Sequence, residues 1–169
     1  MKKQILLTIS IAAVMLTSIC PIPNAFALQF TDYADPNGKW TIQYPSDWLV
    51  GHSNTIRAND SQSINESKFT PFDSGNISIA VGIGSNVMNK SYAALIQRGG
   101  GQLNCDAFVI AGHKACIAIM SLAYPSSDLL VISTINGTNY LLDLHADAQA
   151  GFNKAFPIFM QMLTTFKPK

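Results

Sequence analysis

The chain has 169 residues, a formal net charge of +1 and only 12% charged residues, about half the usual share. That length suits one domain built around one core. So few charges leave no basic face for nucleic acid and no polybasic patch for anionic lipid. The polar surface must be made mainly from Ser, Thr, Asn and Gln.

The N-terminus reads as an export signal. Lys2 and Lys3 precede an apolar run from Ile5 to about Leu16, and Ala25-Phe26-Ala27 places small residues where a signal peptidase reads them. The run is shorter than the roughly 20 residues a transmembrane helix needs. Cleavage after Ala27 is expected, leaving a mature chain from Leu28 to Lys169 with no membrane span. The alternative is an uncleaved N-terminal anchor. A lipid anchor at Cys20 is disfavoured, because Ile19 stands where a lipobox carries a small residue.

In the mature chain, Phe30 to Tyr33 reads as a short strand and Asp35-Pro36-Asn37-Gly38 as a turn. Trp40-Thr41-Ile42-Gln43-Tyr44 alternates large apolar with polar residues, a half-buried strand. Pro45 ends it, and Trp48 follows. Ser53 to Ser74 is polar and aperiodic, so a long surface loop with at most one short strand is expected. Phe69 and Phe72 flank Pro71 there, and they are candidate contacts for a partner.

Ile77, Ile79, Val81 and Ile83 alternate with Ser78, Ala80 and Gly82, a strand whose small-residue face leaves room for a helix. Tyr92, Leu95 and Ile96 have helical spacing from about Lys90 to Arg98, and Gly99-Gly100-Gly101 stops that helix. Strands follow over Leu103 to Ile110, Ala115 to Leu122 and Leu129 to Ile135. Asn136-Gly137 predicts a tight hairpin, with Tyr140 to Leu144 as its return arm. Phe152, Phe156, Phe159, Met160, Leu163 and Phe166 line one face of a closing helix that starts within a turn of Asn153. Pro157 belongs near its first turn. Sequential hairpins with two helices predict an α+β fold: a central antiparallel sheet flanked by helices.

Cys105 and Cys116 flank Ala111-Gly112-His113-Lys114, which reads as a turn, so their segments form hairpin arms. An exported pair so placed is expected to form a disulfide worth about 3 kcal/mol. Two buried free thiols are the alternative. Asn59, Asn65, Asn76, Asn89 and Asn136 each have Ser or Thr two places on, making them candidate glycosylation sites on a secreted chain.

A resemblance emerges from Tyr33, the turn to Gly38, and the run Trp40-Thr41-Ile42-Gln43-Tyr44-Pro45-Ser46-Asp47-Trp48. With the Ala111-Gly112-His113-Lys114-Ala115 hairpin and Leu163-Thr164-Thr165-Phe166-Lys167 at the end, the chain resembles PsbP-like proteins. It is closer in character to exported archaeal members than to the plant photosynthetic subunit. The resemblance implies an αβα sandwich, a central sheet between helices. It implies no photosynthetic role, since fold does not carry function. Trp40, Tyr44 and Trp48 also have a plain physical use as aromatic anchors beneath the sheet.

Catalytic motifs are missing: there is no Gly-x-Ser-x-Gly, no His-Glu-x-x-His and no Walker loop. Asp143, His145 and Asp147 fall on one face of a strand at a period of two, which makes them candidate metal ligands. The plainer reading points Leu142, Leu144 and Ala146 to the core and the other three to water. The expected function is a non-catalytic binding or accessory module, secreted or on the cell surface, acting on an extracellular or cell-envelope protein partner. No cofactor is expected apart from that candidate metal. A metal-binding protein is the second reading and a small hydrolase the third.

Overall fold

The computed structural model describes residues 28–57, 62–73, 76–84, 103–120 and 126–169. The export segment, the helix expected between Lys90 and Arg98 with its glycine stop, and the sequons at Asn59 and Asn89 lie outside them. The N-terminal β1 (Phe30–Ala34) and β2 (Trp40–Pro45) form a small antiparallel pair. Gly38 makes the turn possible. Its φ of +68° is a conformation that side chains with a Cβ resist, and its N–H donates to the Asp35 carbonyl at 2.8 Å. A short β10 (Lys167–Pro168) returns from the C-terminus to pair with the other edge of β2.

The main sheet has seven antiparallel strands in the order β3-β4-β5-β9-β8-β7-β6. In chain order they are β3 (Trp48–Arg57), β4 (Gln62–Pro71), β5 (Ile77–Gly84), β6 (Asn104–Ile110), β7 (His113–Met120), β8 (Ser127–Ile135) and β9 (Thr138–Ala146). The β8–β9 hairpin is set by its turn. Asn136 and Gly137 both take positive φ, at 50° and 77°, as a two-residue turn between twisted strands requires. The polar stretch after Ser53 corrects the expected loop, because β3 and β4 pair over ten residues each. The base of that hairpin enters the core through Trp48, Val50 and Phe69. Farther out, residues 53–57 pair with residues 62–66, a mostly polar run without a regular apolar alternation to read.

The closing helix α1 (Gln149–Thr165) lies on one face of the sheet. It begins at Gln149, about one turn before Asn153, and carries Pro157 in its interior. A proline there removes a helix hydrogen bond and costs about 3 kcal/mol, which the buried stripe offsets. That stripe is Phe152, Ala155, Phe159, Met162 and Leu163. Phe156 is not part of it, being 38% exposed, and Met160 is only partly buried. The helix meets the large side chains of β5 and not its small-residue face, because the helix itself supplies the small residues. A Cβ on Gly151 would lie 3.3 Å from the Ile77 side chain. Phe166 ends the helix and turns into the core, 5.3 Å from the Tyr140 ring and 6.2 Å from Trp40.

The core therefore lies between α1 and the first face of the main sheet, formed by Ile77, Ile79, Val81, Leu129, Val131, Leu142, Leu144 and Ala146, all buried. Each such side chain contributes roughly 1.5–3 kcal/mol by leaving water. Trp40 and Ile42 of the small sheet close its end. Among the described residues, no helix is long and apolar enough to cross a membrane.

Candidate functional site

Alternation puts Leu142, Leu144 and Ala146 in the core and Asp143 and His145 on the second face of the sheet. The second face is not simply wet. Ser78, Leu130, Leu141 and Ala118 are buried there, and so is Asp128, whose backbone stands opposite His145 in the β8–β9 ladder. Sequence reasoning missed Asp128, although the hairpin turn contained the signal. Counting outward from Asn136 and Gly137, one residue on each arm at a time, places Asp128 opposite His145.

His145 bridges two carboxylates. Its Nδ1 lies 2.5 Å from Asp128 Oδ1 and its Nε2 2.9 Å from Asp147 Oδ1. Burial alone would push the imidazole pKa down, but the hydrogen bonds to Asp128 and Asp147, followed by the charges of Asp128 and Asp143, raise it overall. Asp147 is open to solvent, with 55% of its side chain exposed, while Asp128 retains 6%. Asp143 is one step along the same face. It is partly exposed as a residue, yet its Oδ1 is sealed from solvent without a hydrogen-bond partner, and so is Asp128 Oδ2. Burial, and then the neighbouring Asp128 charge, push the Asp143 carboxyl up to about 7.

This geometry bears on the metal reading. Asp128 and Asp147 occupy opposite nitrogens of one ring, so they do not converge with His145 on a single ion. Among the described residues, no group of three or more His, Cys, Asp or Glu side chains is arranged to hold a metal. His145 thus links the buried Asp128 to the exposed Asp147.

A second cluster joins the two sheets, and no spacing of its residues along the chain signals it. Tyr33 of β1 places its hydroxyl 2.9 Å from His52 Nε2 and 3.1 Å from Ser67 Oγ, while Ser67 Oγ lies 3.2 Å from His52 Nδ1. The Tyr33 ring packs edge-on to Phe69 at 5.2 Å and stacks with His52 at 5.8 Å. His52, Asn65 and Ser67 line a shallow cleft of about 310 Å³ with Asp35, Pro36 and Asn37. Ser67 is only 2% exposed, so its hydroxyl braces Tyr33 and is poorly placed to attack a substrate.

The remaining candidates divide by burial. Phe69 is fully buried, which corrects its role as a partner contact, while Phe72 is 80% exposed. The two phenylalanines differ because Phe69 is paired on both sides, with Val50 and Ile79, and is buried in the core, whereas Phe72 lies in the turn just beyond β4. Asn65, Asn76 and Asn136 are exposed. Cys105 and Cys116 form a disulfide between β6 and β7. Counting from the Ala111-Gly112 turn would put Cys105 opposite Ala118. A bulge in β6 between Asn104 and Phe108 shifts the register and brings Cys105 to Cys116.

No protein-family model and no curated protein sequence matches the chain. Solved structures do match in shape. The solution structure of cyanobacterial PsbP (CyanoP) from Synechocystis sp. PCC 6803 superposes with a TM-score of 0.57 at 14% identity, covering 84% of this chain and 94% of that one. The fold is PsbP-like. A protein from Bacteroides thetaiotaomicron matches with a TM-score of 0.54 at 13% identity over 83% of this chain, which spans only 49% of that larger one. At such identities the likeness concerns fold alone.

Proposed function

We propose that this chain is an exported member of the PsbP-like family, with helices on both faces of its sheet. In this reading it is a non-catalytic binding or accessory module that contacts a cell-surface or extracellular protein. The observation that carries the reading is the base of the β3–β4 hairpin. Phe72 is 80% exposed and Leu49 is 53% exposed, and both adjoin the Trp48–Pro71 pair that closes the ladder. An aromatic ring held in water is a poor use of apolar surface for folding and a good one for recognition. The turn is well anchored, since Trp48 and Phe69 on the same two strands are core residues. A disulfide suits an oxidising compartment. With a net charge of only +1, recognition would rest on shape and apolar contact more than on long-range steering.

The test is affinity capture from the native cell envelope with the mature protein as bait. Phe72→Ala combined with Leu49→Ser should leave the melting temperature close to that of the parent and abolish recovery of the captured partner. Undiminished capture by the folded double variant would remove this surface from consideration.

A further inference from the structure

The β6–β7 hairpin holds two registers at once. Its turn, with positive φ at Ala111 and Gly112, sets Ile110 opposite His113, Val109 opposite Lys114 and Phe108 opposite Ala115. Continued outward, that ladder places Ala107 opposite Cys116 and Cys105 opposite Ala118. Cys105 and Cys116 would then be diagonal neighbours, with Cα atoms roughly 7–8 Å apart, beyond the reach of a disulfide. The bonded chain instead pairs Asn104 with Ile117. Three residues of β6, Cys105, Asp106 and Ala107, therefore stand against Cys116 alone. The disulfide and the register of the turn exclude each other.

Apolar packing does little to hold the shifted end of β6. Leu103 and Asn104 are exposed, and among the described residues β6 is the last strand of its sheet, with a neighbour on one side only. The anchored residues, buried Ile110 and partly buried Phe108, belong to the half that already keeps the register of the turn. A bulge leaves its extra residues without ladder partners. A slide of two residues restores those pairs and does not exchange the faces of the strand. It sets Cys105 beside buried Ala118 and Asn104 across from Ile119, which is 61% exposed. Asp106 comes opposite Ile117, at the free edge of the sheet where water is within reach.

We propose that the Cys105–Cys116 bond is a redox latch: a dithiol reductant opens it, and the outer half of β6 slides by two residues into the register of its turn while the domain stays folded. The exchange balances. A thiolate of the reductant attacks one sulfur of the bond and forms a mixed disulfide, and the second thiol of the reductant releases the protein. The protein gains two electrons and two protons as two thiols, and the reductant leaves as a disulfide. Both cysteines are partly exposed, which gives the attacking thiolate access. Phe108 and Ile110 keep their partners in both registers, so the core is not disturbed. The slide turns a bulged free edge into a regular one, and a regular edge is the kind that accepts a further strand.

The experiment compares the mature chain, oxidised and after anaerobic treatment with dithiothreitol, by backbone NOEs between β6 and β7. The oxidised protein should show Asn104 beside Ile117. The reduced protein should show Asn104 beside Ile119 and Asp106 beside Ile117, with the contacts of Phe108 and Ile110 unchanged. Persistence of the Asn104–Ile117 contact after reduction would overturn the proposal. Loss of every contact between residues 103–107 and β7, or unfolding of the reduced domain, would overturn it equally. A variant lacking Asp106 and Ala107 has no extra residues, so the bond and a regular ladder become compatible. Its equilibrium constant for reduction by dithiothreitol should fall by about tenfold relative to the parent. An equal or larger constant would overturn the proposal, and the NOE comparison of the parent decides where the shortened variant folds poorly.

Discussion

The two faces of the main sheet come from the same strands, yet they follow different chemistry. On the first, Ile79, Val81, Leu129, Leu142 and Leu144 are completely buried against α1, with Phe159 among them. On the second, buried Asp128 and partly exposed Asp143 and His145 alternate with the core residues and lie beside buried Leu130 and Leu141. The first face earns its stability by excluding water from apolar surface, a term almost indifferent to pH. The second buries ionisable groups, and burial followed by the Asp128 charge pushes the Asp143 carboxyl up to about 7. Burial alone thus does not say what a face contributes; the chemistry of the buried atoms does.

The largest expected effect lies on the first face. Phe159→Ala should destabilise the domain by about 3–5 kcal/mol, because its ring is fully buried between helix and sheet. Chemical denaturation should return nearly the same loss at pH 5 and pH 8. A penalty that changed strongly with pH would break the distinction between the faces.

A smaller effect is expected on the second face. His145→Ala removes both carboxylate contacts, but the imidazole is 38% exposed, so solvent screening limits the loss to about 1 kcal/mol at pH 5.5. The folded-state pKa of His145 is raised, so its stabilisation is present below the ordinary imidazole value and fades as pH climbs through the raised one. The same denaturation series at pH 8.5 should show a smaller penalty than at pH 5.5. An equal penalty at both would mean that His145 acts by packing alone.

The smallest effect belongs to neither face and serves as a control. Ala111 holds a φ of 48° in the β6–β7 turn, a left-handed conformation that strains any residue with a Cβ. Ala111→Gly should therefore be neutral or stabilising by up to about 1 kcal/mol, relief of that strain being set against the greater freedom of an unfolded glycine. A clear destabilisation, measured by thermal melting, would show that the turn is not strained.

Legibility in the sequence followed the same division. The turns at Gly38, Gly112 and Gly137 were readable because positive φ has few residue types to satisfy it. The strands of β5 and β9 were readable from alternation, and α1 from a stripe at helical spacing. Phe156 was misassigned within that stripe, since Ala155 and Met162 take the buried positions and small or flexible residues weigh little in a hydrophobic pattern. The β3–β4 hairpin was unreadable for a related reason: its outer half scatters Thr55, Ile56 and Ile64 among Ser, Asn and Gln residues without a regular apolar alternation, and pairing with its neighbours holds it extended.

By itself the sequence determined an antiparallel α+β fold, its turns, its apolar face and the pair of cysteines on one hairpin. Tertiary structure alone decided which polar residues meet. Asp128 reaches His145 across a ladder, Tyr33 reaches His52 and Ser67 across two sheets, and a bulge brings Cys105 to Cys116. Periodicity reports which way a side chain points along its own strand. What it touches there depends on register and on how the strands stack, and those are settled by the packing of the whole chain.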